Sequence, residues 1–307
     1  RQFPTARITL LTTPGRRGLP GADEILSRAW YIDNIKTYYP EDVDSIKKIY
    51  NLLKELRQRR YDLFITLPWN FEGFFTLVKK MIFAKALGVS GVMGFRVRTI
   101  RLFARTQSRL MPAKGEVESL LNLLQGEGMS TNRVEFDLPI SEEDTKVVDR
   151  FLPVFQDEGE KPLTVAINPG AKIKSKQWPI ERFAQVGKGI KERFGARVVV
   201  TGSQDDREKA IYLKNNIGNN VVIAAGMLRI LQTAELLRRC DLLISNDTGA
   251  THLAAAVGIP VVVIFCPRYI KGQWHPFGDE NVVLRGHAFC DHCFRFECNS
   301  SECTEQV

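Results

Sequence analysis

Three short segments in the second half of this 307-residue chain carry residue types that could handle a charged ligand. The first is Asn246-Asp247-Thr248-Gly249-Ala250-Thr251-His252, where a small, glycine-containing turn opens onto an apolar helical run. A helix start presents backbone N–H groups with no partner inside the helix, and the positive end of its dipole, so it suits a diphosphate. The same residues admit a structural reading, in which Asp247 and Thr248 cap the helix and His252 packs against it. The second segment is Asn168-Pro169-Gly170-Ala171, followed by Lys174, Lys176, Trp178 and Pro179. Its lysines could reach the same phosphates, or simply be solvated. The third is Thr201-Gly202-Ser203-Gln204-Asp205-Asp206, where an acid just past a strand end accepts a ribose hydroxyl as readily as it sits at a helix start.

Cysteine is the other chemistry-bearing type. Cys290, Cys293, Cys298 and Cys303 follow one another at x2, x4 and x4 spacing, with His287 and His292 interleaved. Four thiolates so close can enclose a tetrahedral, structural Zn²⁺. Two disulfides, disfavoured in a reducing cytosol, and four free thiols are the rival readings. Cys240 and Cys266 read as plain core residues. Asp42-Val43-Asp44 has the D-x-D form of a metal motif, but it precedes a helical run after a proline, where acids at a helix N-terminus account for it.

These segments need a scaffold, and the chain has apolar material for one: 44% of residues are hydrophobic and 25% charged. Strand-like and helix-like segments alternate. Ala6–Thr12 and Tyr61–Leu67 read as strands, and Ser45–Arg60 and Phe71–Leu87 as helices, the former with Ile46, Ile49, Leu52, Leu53 and Leu56 on one face. The second half alternates more cleanly, with strands at 163–168, 197–201, 220–224, 241–245 and 260–265. The helices between them lie at 180–194, 205–217, 231–239 and 250–257, the first presenting Phe183, Val186, Ile190 and Phe194 to the sheet. Such alternation implies two doubly wound α/β domains with parallel sheets, residues 1–160 and 161–307, joined by a polar linker near Glu158–Pro162. Ligands of such folds bind at the carboxyl ends of the strands, between the domains. No strand is followed by G-x-G-x-x-G, which disfavours a dinucleotide dehydrogenase.

The net charge of +8 favours anionic partners. It is concentrated: Lys79, Lys80, Lys85, Arg96, Arg98, Arg101, Arg105, Arg109 and Lys114 occupy a stretch with no Asp or Glu. A phosphorylated or membrane surface is as good an explanation of that stretch as a solvated face. It lacks the interleaved aromatics of a nucleic-acid stacking platform, so a nucleic-acid partner is disfavoured. No apolar run is long enough to span a bilayer and no signal peptide is evident at the start, which reads as a cytoplasmic protein.

Taken in order, INPGAKIKSKQWPIERFAQV, VVVTGSQDDREKA and DLLISNDTGATHLAAAVGIPVVVIFCP resemble glycosyltransferase family 9, the ADP-heptose:lipopolysaccharide heptosyltransferases; YDLFITLPWNFEGFF fits more loosely. The resemblance implies a GT-B architecture, two Rossmann-like domains facing a central cleft, with acceptor on the N-terminal domain and nucleotide sugar on the C-terminal one. It implies inverting transfer of a heptose from ADP-heptose to an inner-core hydroxyl of a glycolipid, with no catalytic cofactor or metal, at the inner membrane face through peripheral contact. By motif position Lys176, Asp247, Thr248 and Gly249 would hold the diphosphate, His252 would support that loop, and Asp206 or Asp205 would take the ribose. Asn168, Gly170, Thr201 and Gly202 would line the same site. The family's expected general base is an Asp in a loop ahead of the first segment seen here. The chain reads as starting after it, so no base is named. The alternatives are a relative using another nucleotide sugar or acceptor, and a non-catalytic nucleotide-sugar-binding protein.

Overall fold

The structure, a computed structural model, describes residues 5–14, 21–67, 74–95, 115–126, 128–129, 131, 133–152, 162–268, 271–286, 304 and 307. The chain divides into two compact units, Arg1–Val134 and Glu135–Val307.

The second unit is organised by β5 (Thr164–Asn168), whose five residues are all buried. An apolar run without alternation is what a parallel strand covered on both faces requires. After β5 come α6 (Ile180–Phe194), β6 (Arg197–Val200), α7 (Arg207–Ile217), β7 (Val221–Ile223), α8 (Ile230–Arg238), β8 (Leu242–Asn246), α9 (Gly249–Ala256), β9 (Val261–Phe265) and β10 (Val282–Arg285). The six strands form one parallel sheet in the order β10-β9-β8-β5-β6-β7. Counted from β5 this is the doubly wound 3-2-1-4-5-6 order, and its topological switch lies between β5 and β8.

The two faces of the sheet separate by the two-residue strand period. Ala166, Val199, Leu243, Val263 and Phe265 point to one side, where Ala234, Leu236 and Leu237 of α8 cover them. Val165, Ile167, Val198, Val200 and Ile244 point to the other, against Phe183 of α6 and Ala210, Leu213 and Ile217 of α7. Val186 and Ile190 join Phe183 as expected, but Phe194 is 60% exposed. It is the last helical residue, ahead of the left-handed Gly195, and lies under the Arg193 guanidinium, 5.5 Å from the ring centroid, instead of on the sheet.

A further helix, α5 (Glu142–Asp149), belongs to this unit and packs on α8. Ser141 and Asp144 cap its start. Arg239 ties it down: its guanidinium donates to Asp149 Oδ1 at 2.7 Å, to the Leu152 carbonyl at 2.6 Å and to Thr145 O at 3.2 Å, while Nε donates to the buried Glu235 at 2.8 Å. The division between units thus falls ahead of the acidic helix. Most of the linker expected near 158–162 lies outside the described residues.

In the first unit β1 (Thr9–Thr12) and β2 (Asn34–Thr37), with α1 (Ala22–Leu26) between them, pair in parallel. β3 (Leu63–Ile65) and β4 (Gly91–Met93) form a second parallel pair. The helices are α2 (Ile46–Arg57), α3 (Phe74–Leu87) and α4 (Glu116–Gln125). On α2 only Leu56 of the expected face is fully buried, and Ile46 is 87% exposed. The D-x-D pair is structural: Asp42 accepts from Tyr39 N at 2.9 Å, and Asp44 pairs with Lys48 at 2.8 Å. No described helix is long and apolar enough to cross a membrane.

Candidate functional site

Side chains from the loops after β5 and β8 meet where the strand order reverses. Asn246, the last residue of β8, is fully buried and joins both loops. Its amide donates to the Pro169 carbonyl at 2.8 Å, and its Oδ1 accepts from the Trp178 N–H at 3.0 Å. Its own carbonyl accepts from Thr251 Oγ1 at 2.9 Å, which fixes the first turn of α9 on the strand end. One amide side chain thus sets the loop before α9, the Asn168–Ala171 loop and the lysine loop against one another. Asn246 heads the first of the three segments but carried no role of its own there; a buried Asn at the carboxyl end of a central strand is the signal that could have given it one.

Lys174–Lys176 form one turn of 3₁₀-helix, and the Lys176 ammonium meets Asp247 Oδ2 at 2.6 Å. The pair is largely buried, with the side chains 13% and 4% exposed. Asp247 thus does not cap α9, as a helix-start acid was expected to: its carboxylate draws the lysine to the helix N-terminus instead. An ammonium has three N–H donors, so anchoring by one carboxylate is compatible with donation to a phosphate oxygen. Thr248 is the N-cap residue and Gly249 the first residue of α9.

His252, on the first turn of α9, has surface open to solvent, but protein crowds it on most sides. That desolvation lowers its pKa from 6.5, with Asp247 pulling it up and Lys176 pushing it down. Its ring meets Trp274 edge-on at 6.5 Å. Trp274 adopts φ 60°, rare for a non-glycine residue, in the loop after β9. In the same loop His275 Nε2 accepts from the Gly272 N–H at 3.3 Å. Burial lowers its pKa too, reinforced by Arg285 and Lys271 and opposed by Asp247. Trp274 and His275 were not among the expected site residues, because nothing in the spacing links this loop to α9.

The third segment is drawn in differently. Asp206 is buried, and its Oδ2 accepts from Ser203 N at 2.9 Å and Ser203 Oγ at 2.7 Å, while Lys209 approaches Oδ1 at 3.3 Å. A Cβ at Gly170 would collide with this carboxylate, and one at Gly202 would lie 2.9 Å from its Cβ. Asp206 thus wedges between two strand-end loops that are glycine for its sake. Asp205 is exposed beside it. Asn168 Nδ2 donates to Thr201 Oγ1 at 3.3 Å, linking the ends of β5 and β6.

Cys240 and Cys266 are buried. Cys290, Cys293, Cys298 and Cys303, and the basic residues from Arg96 to Lys114, lie outside the described residues.

Parallel doubly wound strands with ligand-ready ends define an α/β chain of the GT-B fold class, as solved structures of like fold show. The sequence profile of glycosyltransferase family 9 (heptosyltransferase) matches residues 49–303, and the chain belongs to that family. Among curated relatives it is 28% identical over 227 residues to lipopolysaccharide heptosyltransferase 3 of Escherichia coli K12, covering 72% of this chain and 63% of the relative. It is 24% identical over 228 residues to the lipopolysaccharide core heptosyltransferase OpsX of Haemophilus influenzae, covering 71% of this chain and 61% of that one. The matches thus span less than two thirds of these relatives' length. In fold it is similar to E. coli ADP-heptose lps heptosyltransferase II, with TM-score 0.65 and 20% identity over 92% of this chain and 82% of that chain. It is also similar to E. coli heptosyltransferase WaaC with ADP, with TM-score 0.60 and 18% identity over 91% of this chain and 94% of that chain.

Proposed function

We propose that this chain is the body of an inverting, metal-independent heptosyltransferase that moves a heptose from ADP-heptose to the inner core of lipopolysaccharide. The observation that carries the reading is the convergence of the Lys176 ammonium and the α9 N-terminus at the switch point between β5 and β8. As an acceptor hydroxyl oxygen gives its proton to a general base and bonds to the anomeric carbon, the bond to the β-phosphate oxygen breaks and its electron pair passes to ADP. Lys176 and the first N–H groups of α9 meet that growing charge, so they stabilise the transition state more than the bound donor. In this reading Thr248 and Gly249 contribute backbone donors, and neutral His252 packs the turn. Asn168, Gly170, Thr201, Gly202 and Asp206 shape the floor beside the ribose. The first unit, with the basic residues from Lys79 to Lys114, takes the phosphorylated glycolipid at the membrane face. The curated relatives support heptose and lipopolysaccharide, being heptosyltransferases by name.

Replacing Lys176 by Ala should lower turnover by about 10²-fold, the usual effect of removing one transition-state donor. It also leaves Asp247 as an unpaired carboxylate beside the phosphates, so Lys176→Ala with Asp247→Asn should recover part of the loss in ADP affinity. Unchanged turnover and ADP affinity in both variants would remove the site assignment. Transfer should proceed at full rate after EDTA treatment. Arrest by EDTA and revival by Mg²⁺ or Mn²⁺ would end the metal-independent mechanism.

A further inference from the structure

The peptide group joining Gln177 to Trp178, directly after Lys176, is held at both edges by residues remote in the chain. Its N–H donates to Asn246 Oδ1 at 3.0 Å, and its C=O accepts from Thr304 Oγ1 at 2.9 Å. Thr304 is 0% exposed and lies 127 positions from Gln177. The turn that carries it is seated on the same loop a second time. Val307 packs into the apolar cluster that includes Trp178, Ile180 and Phe183, and its carbonyl accepts from Arg182 Nη1 at 2.7 Å. The Arg182 guanidinium stands over the Trp178 ring, 6.0 Å from its centroid.

We propose that Thr304 is a positioning residue for Lys176, which rests on the reading of Lys176 as the group that meets the diphosphate. A peptide group bonded at one edge can pivot on that bond, and the adjoining backbone, Lys176 included, shifts with it. Bonds at opposite edges stop that motion. The Gln177 side chain reinforces them by donating to the Ala171 carbonyl at 2.7 Å and accepting from Lys209 at 3.2 Å. Asp247 fixes the tip of Lys176, and the Asn246–peptide–Thr304 bridge fixes its root. Without Thr304 the tip stays tethered while the backbone beneath it is free to tilt. A displacement of about 1 Å in a group that must meet a transition-state charge is enough to cost up to 10²-fold in rate.

The test compares the full chain with Thr304→Val, which removes the donor at constant shape, and Thr304→Ser, which keeps it. Backbone amide exchange over residues 171–178 should be roughly tenfold faster in Thr304→Val, equivalent to about 1.4 kcal/mol, and return to the parent rate in Thr304→Ser. Exchange in β5, β6 and β8 should stay unchanged. ADP affinity should fall about fivefold in Thr304→Val and recover in Thr304→Ser. Wherever transfer is measured, kcat should fall more than KM rises. Parent-like exchange over 171–178 in Thr304→Val overturns the proposal, as does faster exchange spread evenly over the second unit, which would mean a merely structural role. An ADP affinity that ignores Lys176→Ala removes the donor-site reading instead, and the exchange comparison then decides whether Thr304 holds the loop.

Discussion

The two units spend their apolar residues differently. In the second, strands of unbroken Val, Ile and Leu are covered on both faces, and Val198, Val199 and Val200 are each at most 1% exposed. In the first, Leu63, Ile65 and Val92 of β3 and β4, and Phe74, Phe75, Met81 and Ile82 on α3, remain open to solvent. The contrast separates two uses of hydrophobicity. In the second unit it builds a rigid sheet whose strand ends hold polar groups in register. In the first it leaves surface that the described residues do not cover, on a helix that also carries Lys79, Lys80 and Lys85.

The strongest test of that contrast is a pair of truncations. Leu243 lies in a central strand and is 0% exposed, so Leu243→Ala should cost about 3–5 kcal/mol of unfolding free energy in chemical denaturation. Ile46→Ala on α2 should stay within about 0.5 kcal/mol. Comparable losses would show that the first unit is buried in solution and dissolve the distinction. A smaller effect is expected at the basic stretch. Replacing Arg98, Arg101 and Arg105 together by Gln should weaken sedimentation with anionic liposomes by about 3 kcal/mol in total at low salt, and by less at physiological salt. Equal pelleting of parent and variant would leave the charge of the first unit without this use.

The smallest effect concerns His252. Its folded pKa lies below 6.5, so between the two values the unfolded chain binds the extra proton. Stability should therefore be fully present above pH 6.5 and decline as pH falls through the window beneath it. His275 is shifted the same way, so His252→Gln should shrink the decline without abolishing it. Denaturation midpoints at pH 7.5 and 5.5 measure this; an identical pH response in the variant would mean that His252 does not titrate in that range.

How far these features can be read from residues alone follows their physics. The strands of the second unit other than β10 were legible because double burial leaves an unmistakable apolar run, and α6 and α7 because a sheet demands one helical face. β10 escaped: its Val282–Arg285 alternates between exposed and half-buried on an edge, and such a short run says little. β2, four half-buried residues reading NIKT, escaped for the same reason. Phe194 was assigned to the sheet by spacing, which does not register that a helix ends at Gly195. Of the site, the turn before α9 and Lys176 were visible as types at strand ends. The ion pair between Lys176 and Asp247 was not, since spacing carries no information about two side chains 71 positions apart. The contacts of Asp206 with Ser203 and Lys209 lie within six residues of one another, yet its wedge against Gly170 was hidden for the same reason.

The Thr304 bridge also bears on the order in which this molecule takes shape. Contacts 125 and 127 positions apart close the largest loops described here, and a contact is paid for in chain entropy before it returns anything. The sheet from β5 to β9 can assemble from neighbouring βα units without residues 304–307. The lysine loop then waits for them. A chain cut between β10 and Thr304 would keep every described strand of this unit and leave the Lys176 loop loosely held, so order in that loop would arrive after foldedness as a separate and later event.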